Sequence, residues 1–512
     1  MKTPSILPVR VVLAFSLLVP AALGCARTSV DAITLARQAA GWHRLPASSA
    51  LRLSGESQLL GVTGRFESLF AEGGRFRRAV SGPLARRVHF DGETLSRRPI
   101  SSALQPVELY ARESELLRAW VRSGYWLSTT APVEISLIEA VPPTFAVRLL
   151  EGVITAHVEL DPADHLARSL RLPDGSAELL IEFSDYRSVD GLQVAYGLRS
   201  ELSTGQEWIQ TVEEAKVVSS TEFKLEVVAE AADYSFDEAV PAAVPVVRAR
   251  TGHLFVRALV EGQDMGLFLF DTGAGFSGLS DPASEALGLE AFGSTSVTGL
   301  GGGVRSVQLR RPELLQLGPL MIRDLVMQDG VNVERKEKLA GEKVAGVLGW
   351  DVMQRAVVEL DGGSDEIVLH DPATYELPEG EWLPLTLHYQ VPYVAARFEG
   401  GREGLFMLDS GAGSHSLLFF ADATRRLGLL DGRKTLRGEG TGAGGDFGVE
   451  TGTIESFSLA GDSFEQVPAT FTTGDDGETD PYSVGLIGGE ILGRYRLVFD
   501  YSGRRVAFLP RD

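Results

Sequence analysis

The stretch Gly266 to Gly275 reads GLFLFDTGAG, and Gly404 to Gly413 reads GLFMLDSGAG. Each is an apolar run that stops abruptly at an aspartate, followed by a small hydroxyl residue, glycine and alanine. The pattern predicts a buried strand that delivers a carboxylate onto a tight turn, where only a glycine backbone has the freedom required. Asp409 follows Asp271 by 138 residues (409 − 271). A single Asp-Thr/Ser-Gly triplet arises easily by chance, whereas two within one longer repeat do not.

The repeat extends in both directions. HLFVRALVEGQDMGLFLFD, His253 to Asp271, lies without gaps over VPYVAARFEGGREGLFMLD, Val391 to Asp409. Identical pairs include Val256/Val394, Ala258/Ala396, Glu261/Glu399, Gly262/Gly400 and Phe268/Phe406. Strand, glycine-containing turn and strand follow in each copy, so each aspartate ends a predicted β-hairpin. Beyond it come Leu287-Gly288-Leu289 and Leu427-Gly428-Leu429, then TGLGGGV (Thr298 to Val304) and GTGAGGDFG (Gly440 to Gly448). Last come GVLGWD (Gly346 to Asp351) and GLIGGE (Gly485 to Glu490). Gly349 lies 78 residues past Asp271 (349 − 271), and Gly488 lies 79 past Asp409 (488 − 409). An ordered duplication of this kind calls for duplicated architecture.

These residues resemble the retropepsin-like aspartic proteases, over roughly residues 250 to 512, about half the chain. In that family Asp-Thr/Ser-Gly-Ala carries the catalytic carboxylate, and a later apolar-apolar-Gly motif packs beside it. Val347-Leu348-Gly349 and Leu486-Ile487-Gly488 match that later motif. A retroviral unit supplies one aspartate and must dimerise. The resemblance implies that two fused units form the pseudo-dimer within this chain, each a small β-barrel lobe. It also implies that Asp271 and Asp409 are the catalytic pair, with Thr272, Gly273, Ala274, Ser410, Gly411 and Ala412 building the two supporting loops. The Thr272 and Ser410 hydroxyls would bond across the loops. Gly301, Gly302, Gly303, Gly444 and Gly445 fall where the family carries flaps, with an ordinary hairpin loop as the alternative reading of either run.

The chemistry can be stated from the residues. Two carboxylates about 3 Å apart cannot both ionise comfortably, so they share one proton. The charged one can act as general base on a water, and the protonated one as acid towards the carbonyl oxygen. Which aspartate holds the proton is left open, because the titration belongs to the pair. Other chemistries lack their motifs. There is no His-Glu-x-x-His, Cys-x-x-Cys, Gly-x-Ser-x-Gly or Gly-x-x-x-x-Gly-Lys-Ser/Thr run, so no metal and no cofactor is expected. His415 is read either as a cleft residue or as a surface histidine, and Trp350 as a core aromatic.

At 512 residues the chain exceeds one core, and its 44% apolar content is that of a globular protein. A balance of 48 basic against 69 acidic residues, −21 overall, argues against nucleic acid and anionic membrane surfaces as partners. Lys2 and Arg10 precede the apolar run Val11 to Gly24, which is too short to span a bilayer and suits a secretory signal. Cys25 is the only cysteine, so no internal disulfide can form. Ala22-Leu23-Gly24-Cys25 resembles a bacterial lipoprotein signal, with Ala22 where leucine is usual. Residues 1–25 are therefore read as a signal with lipidation at Cys25 and an envelope location on the periplasmic side of a membrane, or else as a simple secretion signal.

Residues 26–236 are expected to form an α+β antiparallel-sheet domain. Helical patterns occupy Asp31 to Leu45 and Val107 to Leu127, among alternating runs such as VITAHVELD and ELLIEFSDYR. LDPADHLARSLRL and DYRSVDGL are similar to lipoprotein-carrier-like half-barrels, which implies a curved sheet with one apolar face able to hold a lipid or a peptide; a structural spacer is the alternative. FDEAVPAAVPVVRAR, with Pro241 and Pro245, reads as a linker. The two lobes follow as 249–376 and 384–512, joined by LPEGEWLP. The overall expectation is a mainly β chain that acts as an exported aspartic endopeptidase on peptide or protein substrates. The alternative is an inactive envelope protein that binds peptide or lipid on the same scaffold.

Overall fold

The computed structural model describes residues 31–100, 104–175, 177–223, 233–474 and 480–511, so the expected signal and Cys25 lie outside the described residues. The amino-terminal domain is one 13-stranded antiparallel sheet. Two meanders are joined where Ser49–Leu59 pairs with Glu207–Ser219, which leaves Gln105–Pro106 at one edge and Val133–Ala140 at the other. The chain must travel from edge to edge between these two strands, and it does so as the helix Leu109–Ser123. In Ser49–Leu59, Leu51, Leu53 and Leu59 alternate with outward polar residues, as a half-buried strand requires. They share a core with Tyr110, Leu116, Leu117, Trp120 and Val121 of the helix. Gly124 ends the helix at φ 87°, a left-handed cap that a side chain would resist. The apolar face expected to hold a ligand is thus covered by the chain's own helix.

The C-terminal half repeats one plan. In the first lobe Leu254–Val260 and Gln263–Phe270 form a hairpin, turning through Glu261 and Gly262, both at positive φ. In the second lobe Val391–Phe398 and Arg402–Leu408 do the same. A parallel strand then flanks each aspartate-bearing strand: Val344–Leu348 beside Gln263–Phe270, and Ser483–Ile487 beside Arg402–Leu408. A short helix follows each, Trp350–Met353 and Gly489–Leu492. The closing hairpins meet in an antiparallel seam, with Val357↔Asp500, Glu359↔Val498 and Asp361↔Arg496 in register. This seam ties the lobes together close to their pseudo-twofold axis.

Two connectors are built into sheets. Ala243–Arg248, read above as linker, pairs with Glu366–His370 through Ala243 to Pro245 and with Leu254–Val260 through Val246 to Arg248. Pro245 stands where the strand changes partner, a position that tolerates a residue with no N–H to give. Tyr234–Phe236 likewise pairs with Leu320–Arg323 of the first lobe, and Leu383–Pro384 pairs with the last strand, Arg505–Pro510.

The sheet domain is docked on the lobes. Its hairpin tips hold the strand Gly293–Val297: the Ser294 N–H donates to the Leu60 carbonyl at 3.0 Å, and the Ser296 hydroxyl to the Thr204 carbonyl at 3.1 Å. The Gln206 amide donates to the Ser296 carbonyl at 3.0 Å. Further along, the Tyr389 hydroxyl donates to Asp174 at 3.0 Å and the Tyr482 hydroxyl to Glu113 at 2.5 Å.

Candidate active site

Each aspartate leaves its strand at the same place. The Asp271 N–H donates to the Leu348 carbonyl at 2.9 Å and the Asp409 N–H to the Ile487 carbonyl at 3.1 Å, so the parallel neighbour fixes where each strand stops. The two loops are locked by a reciprocal set of hydrogen bonds. The Thr272 N–H donates to the Ser410 hydroxyl and the Ser410 N–H to the Thr272 hydroxyl, both at 3.0 Å. The hydroxyls in turn donate across the axis, Thr272 to the Leu408 carbonyl at 2.8 Å and Ser410 to the Phe270 carbonyl at 3.1 Å. Thr272 is fully buried, so these bonds form out of water and every donor has an acceptor.

The lock brings the carboxylates face to face. A Cβ on Gly273 would lie 2.7 Å from Asp409 Oδ1, and one on Gly411 would lie 2.4 Å from Asp271 Oδ2. Each glycine is therefore required by the opposite aspartate. The carboxyls hydrogen-bond to one another, and each also receives an N–H of its own loop: Gly273 to Asp271 at 2.9 Å, Ala412 to Asp409 at 3.1 Å. Ala274 turns its carbonyl to the Trp350 N–H at 2.9 Å, with its methyl against Gly349.

Burial is the largest influence on both acids, and it raises both. Asp409 is held well above the usual carboxylate range, by burial and then by the charge of Asp271. Asp271 is raised less freely, because its bond with Asp409, the Gly273 N–H, Lys336 and His253 all favour its charged form. Lys336 and His253 were not singled out from the sequence. Burial lowers both, and His253 is oriented by the Thr251 hydroxyl at 2.8 Å. Lys336 sits on a short helix, Glu334–Ala340, with no motif to mark it.

Three supports behind the loops were also missed. The buried Tyr501 hydroxyl donates to the Thr272 carbonyl at 3.1 Å, and its ring packs 5.8 Å from Trp350, which is a core residue as expected. Asp351 accepts from the Ser277 N–H at 2.7 Å, and the Ser277 hydroxyl accepts from the Gly349 N–H at 3.1 Å. Burial pushes Asp351 up to about 6 despite Arg355 beside it. In the second lobe Glu490 and Ser416 repeat this pair. The signal was available, since each acid stands two places after the glycine of its repeated motif. His415 is exposed, offering only its backbone to Glu490.

The glycine runs lie at the tips of two hairpins, Gly293–Val297 with Arg305–Arg310 and Leu436–Gly442 with Gly445–Leu459. The tips touch. The Gly303 N–H donates to the Gly444 carbonyl and the Gly444 N–H to the Leu300 carbonyl, both at 2.9 Å. The Gly302 N–H closes its own turn on the Gly299 carbonyl at 3.0 Å. Gly301 lies at φ 104°, where a Cβ would be 2.4 Å from the Gly445 carbonyl oxygen. Leu300 of the first tip packs against the second-lobe cluster of Leu418, Phe420, Phe447, Val449 and Leu486, which Met407 and Ala412 also border.

Comparison with known proteins agrees with this duplicated geometry. The aspartyl protease family model matches the chain twice, at residues 256–352 and 394–491. Each lobe thus carries one match to that model, and the two matches are the two copies of the repeat. Among solved structures, a retropepsin-like aspartic protease from Rickettsia conorii is similar at 20% identity, covering 25% of this chain and 98% of that one, with a TM-score of 0.20. A LolA superfamily protein from Nitrosomonas europaea is similar at 11% identity, covering 37% of this chain and 92% of that one, TM-score 0.27. A DUF1329 family protein from Desulfovibrio piger is similar at 10% identity, covering 39% and 99%, TM-score 0.28. No curated protein matches. Among the described residues no three or more His, Cys, Asp or Glu side chains cluster as a metal site.

Proposed function

We propose that the chain is an aspartic endopeptidase, exported and anchored through a lipid on Cys25, that hydrolyses peptide bonds with water activated between Asp271 and Asp409. The observation that carries this reading is the facing pair of carboxyls, each against the glycine of the opposite loop and held there by the reciprocal Thr272–Ser410 bonds. The surroundings favour Asp409 as the proton holder and Asp271 as the charged base, because Lys336 and His253 both lower Asp271. The water oxygen attacks the scissile carbonyl carbon while Asp271 takes one of its protons and Asp409 gives its own to the carbonyl oxygen. Collapse of the resulting diol breaks the C–N bond, with a proton passing to the leaving nitrogen, and releases an acid and an amine.

Asp271→Asn and Asp409→Asn, made separately, test the pair. Each is expected to lower turnover of unfolded peptide mixtures by roughly 10²–10⁴-fold, and a statine-type transition-state analogue should block the wild type. Full activity in either variant would overturn the shared mechanism. Tight peptide binding with no cleavage at any pH would instead make the chain a binding protein. Mass spectrometry of the membrane fraction reads the anchor: a diacylated Cys25 N-terminus supports it, and a free, unmodified N-terminus overturns it.

A further inference from the structure

The helix Leu109–Ser123 carries charge into the core of the amino-terminal domain. Arg118 from the helix, Arg78 and Arg86 from the sheet and the nearby Arg97 gather around two carboxylates, Glu115 and Asp174, with Arg122 one turn further along the helix. Burial would raise Glu115, yet Arg118, Arg78, Arg97 and Arg86 hold it down to about 2. Glu115 meets Arg78 at 3.1 Å and Arg118 at 3.8 Å, and Asp174 meets Arg118 at 3.3 Å. Positive charge remains in excess.

Among the described residues no carboxylate pairs with Arg122. Its Nη1 donates to the Gln210 side chain at 2.7 Å and its guanidinium lies 5.3 Å from the centre of the Phe66 ring, but Nε and Nη2 are buried without a partner. Nε of Arg118, a side chain only 9% exposed, is likewise unpartnered. Arg78, Arg118 and Arg122, with Ser200, Gln210 and Trp208, line one side of a cavity of about 20 Å³ whose other wall is apolar. Buried guanidinium N–H groups are costly to leave without an acceptor, and planar forks match the oxygens of phosphate-type groups.

We propose that this cavity is a binding site for a compact oxyanion of the phosphate type, held by Arg78, Arg118 and Arg122. The inference does not depend on the protease reading. The anion completes the charge balance between helix and sheet and fixes the helix to the face it covers. The small cavity favours the inorganic ion over a bulky ester.

The test is thermal unfolding and calorimetric titration of the full mature chain with inorganic phosphate at constant ionic strength, with chloride as control and glycerol phosphate as a second arm. One saturable site and a rising melting temperature are expected with phosphate. Arg122→Met should weaken binding by about tenfold or more while keeping or raising the melting temperature without phosphate, because it removes a buried unpaired charge. Arg122→Lys should keep the charge and lose most of the affinity, since the fork is gone. Binding of glycerol phosphate as tight as that of phosphate supports the site with an ester-borne group. Equal responses of wild type and Arg122→Met, or no saturable binding of either anion, overturn it.

Discussion

Lys336, His253 and the Gly273 amide all act on Asp271, whereas Asp409 has burial and a like charge to contend with. Removing Lys336 as a charge should therefore raise Asp271, and in Lys336→Met the acid limb of the kcat/KM profile should move towards neutral pH. An unmoved limb would mean that Asp271 is not the ionised base. Stability should respond as well. Because the folded Asp409 carboxyl is raised, the folded chain keeps a proton that the unfolded chain has released. Stability then falls as pH rises from the ordinary carboxylate range through the raised value. Asp409→Asn should flatten that slope, as melting curves across pH would register. Thr272→Ala leaves the Ser410 N–H and the Leu408 carbonyl short of a partner in a dry site, costing ~1–3 kcal/mol, read by denaturant titration. These residues were legible in the sequence because the repeat wrote them twice. Lys336 and Tyr501 were not, because each reaches the site through tertiary packing, and His253, although it opens the repeat, stands over Val391 there and so was not written twice.

At the scale of elements, hairpins, aspartate-bearing strands and helices over 31–40 and Leu109–Ser123 followed from periodicity and glycine placement. The stretch around Pro241 and Pro245 did not follow, since proline is the usual mark of a linker and only the finished sheet shows a strand changing partner there. The touching hairpin tips belong to this scale too. A Cβ at Gly444 would lie 2.3 Å from the Gly299 carbonyl oxygen, so Gly444→Ala should part the tips while leaving the hairpins folded. Loss of that closure is expected to lower kcat/KM by up to roughly 10²-fold with an unchanged melting temperature; an unaffected rate would show that the tips need not meet.

For the molecule as a whole, the duplication predicted the two lobes, and the seam of Val357–Asp361 with Tyr495–Asp500 is its physical expression. The charged interior of the sheet domain could not be foreseen, because alternation tells which side chains point inward only after the register is known. Arg118 and Arg122 look like the solvent face of a helix until the lobes and sheet enclose it. The docking of that domain also breaks the equality of the halves. Its hairpin tips grip Gly293–Val297, which is half-buried along its length, while the matching strand Leu436–Gly442 is mostly exposed. Amide hydrogen exchange should consequently be faster in 436–442 than in 293–297. Of the two repeated hairpins, one is thus braced from outside by the sheet domain, and the other has only its own partner strand and the bonded tips to hold it.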